Sequence, residues 1–403
     1  MNHPDRPQRL FTFEFIGLCA VIFLAYCNTT VFYSLDVYLE WLGVSHSWRG
    51  ILIGSTALAT ILSFLALSAR MTMANAVRNA CIGAVLLVLC GVSYVYARSV
   101  PALLAVRLAG GAGVYLVVAA VMTYLVACIP PGRSGAAFGI YAAAMLLPYS
   151  VVPAVFDAWH GNDMASLPGG YMVMSLFLVP AIAVVLFVGA KMSRRVKEEK
   201  APEAMKAAEM FRNAARVPMA LLLVTNTVNL TAFASVFFLS KGYFRARGLP
   251  NVATFFLIQM LCMIGVRLFG SQVFDRIVKM RIVVASFTLT GIACALLVGT
   301  RGWPMVCVCA VIMGTGMGLG TPALNSLMYS ISEERYRGVN ANLMAMAQQM
   351  GHFVGPILGT VAVGFLGYSG FLILDVGVCA LGVALCLFYV RRGFDRADPA
   401  RLA

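Results

Sequence analysis

The sequence predicts an all-α polytopic membrane protein, with twelve transmembrane helices in two six-helix pseudo-symmetric bundles. Of the 403 residues, 61% are hydrophobic and only 11% are charged, and the mean hydropathy is +0.87. Soluble domains carry about a quarter charged residues. Apolar runs long enough to cross about 30 Å of hydrocarbon recur along the chain. One long hydrophilic stretch, at residues 191–216, divides these runs into two sets of six.

The apolar runs define the predicted spans in chain order. Because they are continuous rather than alternating, we expect helices and not a β-barrel. The first run is too long, and too poor in a small-residue cleavage site, for a removed signal peptide. The twelve predicted spans cover approximately residues 13–36, 48–69, 76–97, 101–128, 135–157, 169–190, 217–240, 251–273, 281–300, 303–329, 339–366 and 369–390.

The distribution of basic residues predicts the orientation. The chain carries 30 Lys and Arg against 16 Asp and Glu, a net charge of +14. Most of these bases fall in the tails and in the loops of one side, which the positive-inside rule assigns to the cytoplasm. The tryptophans lie at the opposite ends of the spans, as in an interfacial aromatic belt. We therefore expect a protein of the bacterial inner (plasma) membrane with both termini on the cytoplasmic side. The excess of basic residues is then expected to contact membrane lipids rather than nucleic acid.

The two sets of spans repeat at about 200 residues. Gly170-Tyr171 in the first set corresponds to Gly367-Tyr368 in the second. The prediction is an N-terminal bundle at 1–190, a cytoplasmic linker at 191–216 that is partly helical and lies along the membrane surface, and a C-terminal bundle at 217–403. This layout is typical of parallel-repeat transporters, whose substrate path runs between the halves.

A charged loop between predicted spans 8 and 9 carries a family resemblance. It resembles the Gly-x-x-x-Asp-Arg…Arg/Lys loop signature of the major facilitator superfamily, a group of secondary transporters. The resemblance implies that Asp275 caps a neighbouring helix and locks the outward-facing state, with basic residues offsetting its charge. The corresponding loop between spans 2 and 3, Ser68 to Met73, lacks both the Gly and the Asp. The predicted inner gate comprises Gly270, Asp275, Arg276, Lys279 and Arg281.

Further motifs extend the resemblance over essentially the whole chain. Residues 107–113, Arg-Leu-Ala-Gly-Gly-Ala-Gly, resemble the Arg-x-x-x-Gly-x-Gly motif that is frequent in proton-coupled members. Gly351, Gly355 and Pro356 resemble the kinked, glycine-rich eleventh helix. The exporter signature expected in span 5 is degenerate here, with Pro148 and Pro153 lacking the flanking glycines, so the direction of transport stays open.

Ionisable residues in the spans and at their outer ends are candidates for proton coupling and for an outer gate. A charge inside a span is costly, which makes Arg107 a functional candidate. We predict that Asp36 pairs with Arg107 as a proton-coupling switch, the alternative being that Asp36 is an interfacial loop acid. We also predict an outer gate of ion pairs between the first outer loop, with Asp36 and Glu40, and the symmetry-related rim, with Lys241 and Arg245.

Polar residues within the spans are candidates for a substrate cavity. Uncharged amides with aromatic neighbours suit an organic molecule of mixed polarity. No cluster of basic residues is predicted deep in both halves, which argues against a phosphorylated substrate. The candidates are Asn28, Asn226, Asn229, Gln259, Gln348, His352 and Asp375.

The predicted function is secondary active transport of a small organic molecule by alternating access, most simply proton-coupled efflux of a drug or metabolite by a monomer. Proton-linked uptake is the alternative. No Walker motif, nucleophilic triad or metal-ligand spacing is present, so neither enzyme activity nor a cofactor or metal site is predicted. Two weaker alternatives are a non-transporting receptor and a soft-metal transporter, the latter suggested by Met346, Met350 and His352.

Overall fold

The structure, a computed structural model, describes residues 10–68, 71–129, 134–161, 163–192, 207–249, 252–269 and 277–395. Within these residues, twelve helices are long and apolar enough to cross a membrane, which confirms the predicted number and order of spans. Spans 1 to 12 are Phe13–Trp41, His46–Leu67, Met73–Ser93, Val100–Leu125, Ala137–His160, Leu167–Ala190, Val217–Ala246, Val252–Phe269, Lys279–Gly299, Trp303–Ile331, Arg337–Leu366 and Ser369–Arg391.

Spans 1 and 5 deviate from a regular α-helix. Span 1 runs past its predicted end at residue 36, through a 3₁₀ turn at Val31–Ser34 into a further helix at Leu35–Trp41. Span 5 restarts at Pro148, which lacks a backbone N–H and is tolerated at the first turn of the second segment. These breaks redirect the distal parts of both helices. We call the end that carries the Trp41–His46 connection the distal end, and the end that carries residue 10 the proximal end.

The buried apolar core is organised differently at the two ends. At the distal end one cluster joins both halves, with Tyr33 and Phe156 packed in the same core as Phe237 and Phe256. At the proximal end the core separates into two clusters, one built from spans of the first half and one built from spans of the second half. The halves therefore meet distally and diverge proximally.

Glycines allow the close helix crossings that hold this arrangement. Between the halves, a Cβ on Gly54 of span 2 would lie 2.6 Å from the carbonyl oxygen of Phe353 in span 11. Within the second half, a Cβ on Gly351 would lie 2.6 Å from the carbonyl oxygen of Thr227 in span 7. Small residues at such positions let helix backbones approach closely, which is how helices associate in a membrane.

The linker before span 7 contains a short helix, Ala207–Ala214, as the sequence predicted for part of this segment. Its described residues contact the loop between spans 10 and 11 and the start of span 11, since Asn213 donates to Asn340 over 2.5 Å and Tyr336 donates to Glu209 over 2.9 Å. Arg216 donates to Glu333 over 2.7 Å, and this hydrogen bond lowers the pKa of the Glu333 carboxyl below its ordinary value. These contacts fasten the linker to the second half.

We predict that Gly355→Ala destabilises the fold. The added Cβ would lie 2.5 Å from the carbonyl oxygen of Thr231 in span 7, and overpacking of this kind costs about 1–3 kcal/mol. The apparent melting temperature in detergent should fall below that of the wild type. Gly377→Ala in span 12 is the matched control, because nothing lies within 4 Å of a Cβ there. Equal melting temperatures for the two variants would contradict the packing argument.

Candidate functional site

A cavity lies between the two halves, proximal to the shared core. Residues of both halves line it, and they come from spans 1 to 8 and from spans 10 and 11. Its wall is rich in rings: Tyr26, Phe32, Tyr94, Tyr149, Phe233 and Phe237. Tyr149 of the first half contacts Phe237 of the second, with ring centroids 4.7 Å apart. The cavity is therefore a mostly apolar, aromatic chamber with polar groups at separate points, as small-molecule sites generally are.

Four of the predicted cavity residues line this chamber: Asn28, Asn229, Gln348 and His352. Asn28 donates to Ser175 over 2.6 Å, and Asn229 donates to Thr321 over 3.2 Å. His352 lies with Nδ1 3.0 Å from the carbonyl oxygen of Gln348 and with its ring near Phe233. These hydrogen bonds fix the side chains, so the polar groups are held in place before any ligand arrives.

The other three predicted cavity residues do not line it. Asn226 donates to the carbonyl oxygen of Met344 over 3.0 Å, and Gln259 donates to the sulfur of Met317 over 3.1 Å. Asp375 is fully buried and accepts a hydrogen bond from Ser235 over 2.5 Å. Each of these groups joins two neighbouring helices. Their assignment to the cavity was wrong because polar residues in a span also satisfy one another between helices, and sequence spacing does not separate the two uses.

Arg107 lines the cavity, yet the predicted pair with Asp36 is not formed in this structure. Its Nε and Nη2 donate to the carbonyl oxygens of Leu52 and Ile53 over 3.0 and 2.7 Å. The guanidinium carbon lies 4.6 Å from the centre of the Phe32 ring. Arg107 therefore ties span 4 to spans 1 and 2. Asp36 is out of its reach because it follows the 3₁₀ turn and belongs to the distal contact between the halves.

The distal end is closed by two polar clusters. In the first, which we call the lysine junction, Lys241 of the second half donates to Asp157 over 2.6 Å and to the Tyr33 hydroxyl over 3.1 Å. Tyr33 in turn donates to Asp157. The side chain of Lys241 is only 6% exposed and that of Asp157 is 20% exposed. The lysine junction is thus a mostly buried ion pair between the halves.

The second cluster, the tyrosine junction, lies at the start of span 12. The Tyr368 hydroxyl of the second half lies 2.9 Å from a carboxylate oxygen of Asp36 and 3.1 Å from one of Glu40, and it shares its single proton between these two acceptors. Arg49 of span 2 lies 3.9 Å from Asp36 and 3.7 Å from Glu40. Asp36 is therefore a buried group at an interface between the halves, not a solvated loop acid.

The predicted outer gate paired Asp36 and Glu40 with Lys241 and Arg245, and the structure shows different pairs. Lys241 does link the two halves, but to Asp157 rather than to the acids of the first outer loop. Glu40 reaches the second half through Tyr368, and Arg245 is exposed. The contribution of Asp157 was missed. The only sequence signal for it was an acid in the last turn of a span, beside the interfacial Trp159.

The inner-gate motif is described only in part. Gly270, Asp275 and Arg276 lie outside the described residues, so their predicted roles stay predictions. Lys279 is buried at the start of span 9, and Arg281 is exposed two residues later.

Comparisons with known proteins agree with this architecture. The family profile described as Major Facilitator Superfamily matches residues 17–300 and 275–402. No protein of curated function matches the sequence. Among solved structures, the nucleoside transporter NupG in its D323A form is similar with a TM-score of 0.77 and 11% identity, covering 93% of this chain and 99% of that one.

Two further structures share the fold. A POT family transporter in complex with a thioalcohol-conjugated peptide has a TM-score of 0.77 and 13% identity, covering 96% of this chain and 98% of that one. A bacterial homolog of the human lysosomal transporter Spinster, in an inward-facing and occupied conformation, has a TM-score of 0.69, 13% identity and the same coverage. The family match and these transporters indicate a secondary transporter in the membrane rather than an enzyme. With twelve spans, a cavity between two halves and a family profile matched over nearly its whole length, the chain belongs to the major facilitator superfamily.

Proposed function

We propose that this protein exports a small organic molecule, a drug or metabolite, across the bacterial inner membrane in exchange for protons, by alternating access. The observation that carries the proposal is the cavity between the halves, lined from both and closed at the distal end by the two junctions. The basic residues of the sequence assign the proximal end to the cytoplasm. The conformation described here is then inward-facing, open to a substrate that comes from the cell.

Alternating access requires the distal contacts to break while the proximal ends come together. The lysine junction has to break before the distal end opens, and its two mostly buried charges are unpaired until water reaches them. The junction therefore biases the protein towards the inward-facing state. A substrate shifts that equilibrium only by the difference between its affinities for the two states.

Proton coupling is assigned to Asp36. Its carboxylate accepts a hydrogen bond from Tyr368 of the other half and faces Arg49 of span 2, with Glu40 as the neighbouring acid on its own span. A proton on Asp36 removes the negative charge that Arg49 and Tyr368 stabilise, so it weakens the tyrosine junction and favours opening of the distal end. Proton binding and opening are thereby linked, although Arg107 does not contact the carboxylate.

Metabolite profiling tests transport and its direction. We expect that cells overproducing the wild type enrich a compound in the medium that cells producing Arg107→Ala do not, since loss of the guanidinium frees span 4 from spans 1 and 2. Mass spectrometry of medium and cytoplasm is the measurement, and gel filtration of the purified variant checks that it folds. Enrichment in the cytoplasm would instead identify uptake. Equal profiles from a folded variant would contradict transport through this cavity.

Asp157→Asn should open the distal end. Without the carboxylate, Lys241 is left buried without its counter-charge, which disfavours the closed arrangement. Hydrogen–deuterium exchange in lipid nanodiscs should show faster exchange in peptides that cover the distal ends of spans 1 and 7. Asp163→Asn is the control, because Asp163 is exposed at the same end and accepts a local hydrogen bond from the Ala165 amide. Unchanged exchange in Asp157→Asn would refute the gating role of the lysine junction.

Asp36→Asn should uncouple transport from protons while substrate binding persists. The amide cannot be deprotonated, so the tyrosine junction no longer responds to proton binding. The measurement is transport in proteoliposomes of the compound found by profiling, with and without a pH gradient, alongside equilibrium binding of the same compound. Wild type and Asp163→Asn should respond to the gradient, and Asp36→Asn should not. A normal gradient response in Asp36→Asn would remove this residue from the mechanism.

A further inference from the structure

The charges on the cavity wall are all of one sign. Arg107 of the first half and Arg267 of the second half both line the cavity, together with the ionisable ring of His352. Among the described lining residues there is no Asp or Glu. One arginine from each half therefore lies on the cavity wall, and the two do not form a cluster deep in the bundle.

Arg267 lacks a counter-charge in the described part of the chain. The structure shows no ion pair between Arg267 and a described residue, and its buried Nε has no hydrogen-bond partner there. An arginine within a membrane span is costly unless a partner or water compensates its charge. Its five N–H donors form a planar fork that matches the oxygens of a carboxylate or phosphate. Arg267 is therefore poised to receive an anionic group.

Arg107 adds a second positive charge that forms no ion pair with a described residue. Among the described residues, its guanidinium contacts two carbonyl oxygens and the face of Phe32, which are dipoles and a π-system rather than an anion. Two buried or partly buried acids of the distal end, Asp36 and Asp157, are held in the two junctions. A cavity wall with two guanidinium groups and low-dielectric sides concentrates anions and repels cations.

The two arginines lie at different depths. At 1.5 Å per helical residue, Arg267 lies roughly 20 Å from the distal start of span 8, and Arg107 lies roughly 10 Å from the distal start of span 4. Arg267 is thus nearer the proximal opening, and Arg107 lies deeper, among the rings of Phe32 and Tyr94. An anionic group that enters from the proximal side meets Arg267 first.

Resting on the proposed function, we infer that the transported molecule is an organic anion with an aromatic or otherwise apolar body. Its carboxylate or phosphate pairs with Arg267, and its body packs against the rings of the cavity wall. The electrostatic field of Arg107 then favours movement of the anion towards the deeper part of the cavity. Cationic compounds, by contrast, are disfavoured by both arginines.

Four probes of similar shape test the charge preference: naphthoate, naphthyl phosphate, naphthamide and naphthylmethylammonium. We expect equilibrium dialysis against the full chain in nanodiscs to show that at least one anion binds ten-fold or more tightly than the neutral amide, and that the ammonium probe binds most weakly. Naphthoate and naphthyl phosphate distinguish a carboxylate site from a phosphate site. Arg267→Gln should abolish the difference between anion and amide, and Arg267→Lys should retain part of it.

Arg392→Gln is the matched control, because Arg392 is exposed at the proximal end of span 12 and stacks on Phe388. It should bind all four probes as the wild type does. Equal affinities across the series, a preference for the amide or ammonium probe, no binding of either anion, or an unchanged preference in Arg267→Gln would each overturn the inference. The transport proposal is judged separately by metabolite profiling, which identifies a substrate of any charge.

Discussion

The arrangement of the molecule depends on a contact between two halves that is made of buried charge and aromatic rings at one end. The hydrophobic effect does little to hold helices together within a membrane, because lipid tails are as apolar as the side chains they would replace. Lys241, Asp157 and Tyr33 supply a directional contact instead. A buried ion pair of this kind either forms with its full geometry or leaves a charge unpaired, which is the property that the proposed alternating access requires of the distal end.

The rest of the structure follows from where that contact lies. Gly50 and Gly54 allow span 2 to pack against span 11 close to the junctions, so the backbones of the two halves lie together distally. The proximal cores remain separate, and the cavity occupies the space between them. Arg107 stiffens the first half by tying span 4 to span 2, and the Asn213–Asn340 hydrogen bond ties the linker to the second half. These contacts hold the elements of each half together independently of the distal contacts.

The fold was predictable from the sequence, whereas the partners of the polar residues were not. The bilayer leaves few solutions for a chain this apolar, so hydropathy located all twelve helices to within a few residues. Pairing depends instead on helix rotation and tilt, which hydropathy does not encode. Asn229 faces the cavity and Asn226 faces span 11, although they are three residues apart on one helix. Likewise, the 3₁₀ turn after Thr30 carries Asp36 away from Arg107 and towards Tyr368, and no sequence pattern indicated that turn.

The distance between the distal acids and the cavity arginines determines how an ion gradient would drive the proposed transport. The acids that face the other half, Asp36 and Asp157, lie in the distal junctions, whereas the guanidinium groups of Arg107 and Arg267 lie along the cavity. In the proposed mechanism, a proton that binds at Asp36 therefore acts on the equilibrium between conformations, not on the charge of the substrate site. The inferred anionic substrate would act on the same equilibrium through Arg107 and Arg267, at a different place in the bundle. Two ligands that share an equilibrium without sharing a site are coupled through the conformational change alone, and the free energy of that coupling is reciprocal. In this mechanism, binding of the proton changes the affinity for the substrate, and binding of the substrate changes the affinity for the proton by the same factor, although the two ligands do not touch.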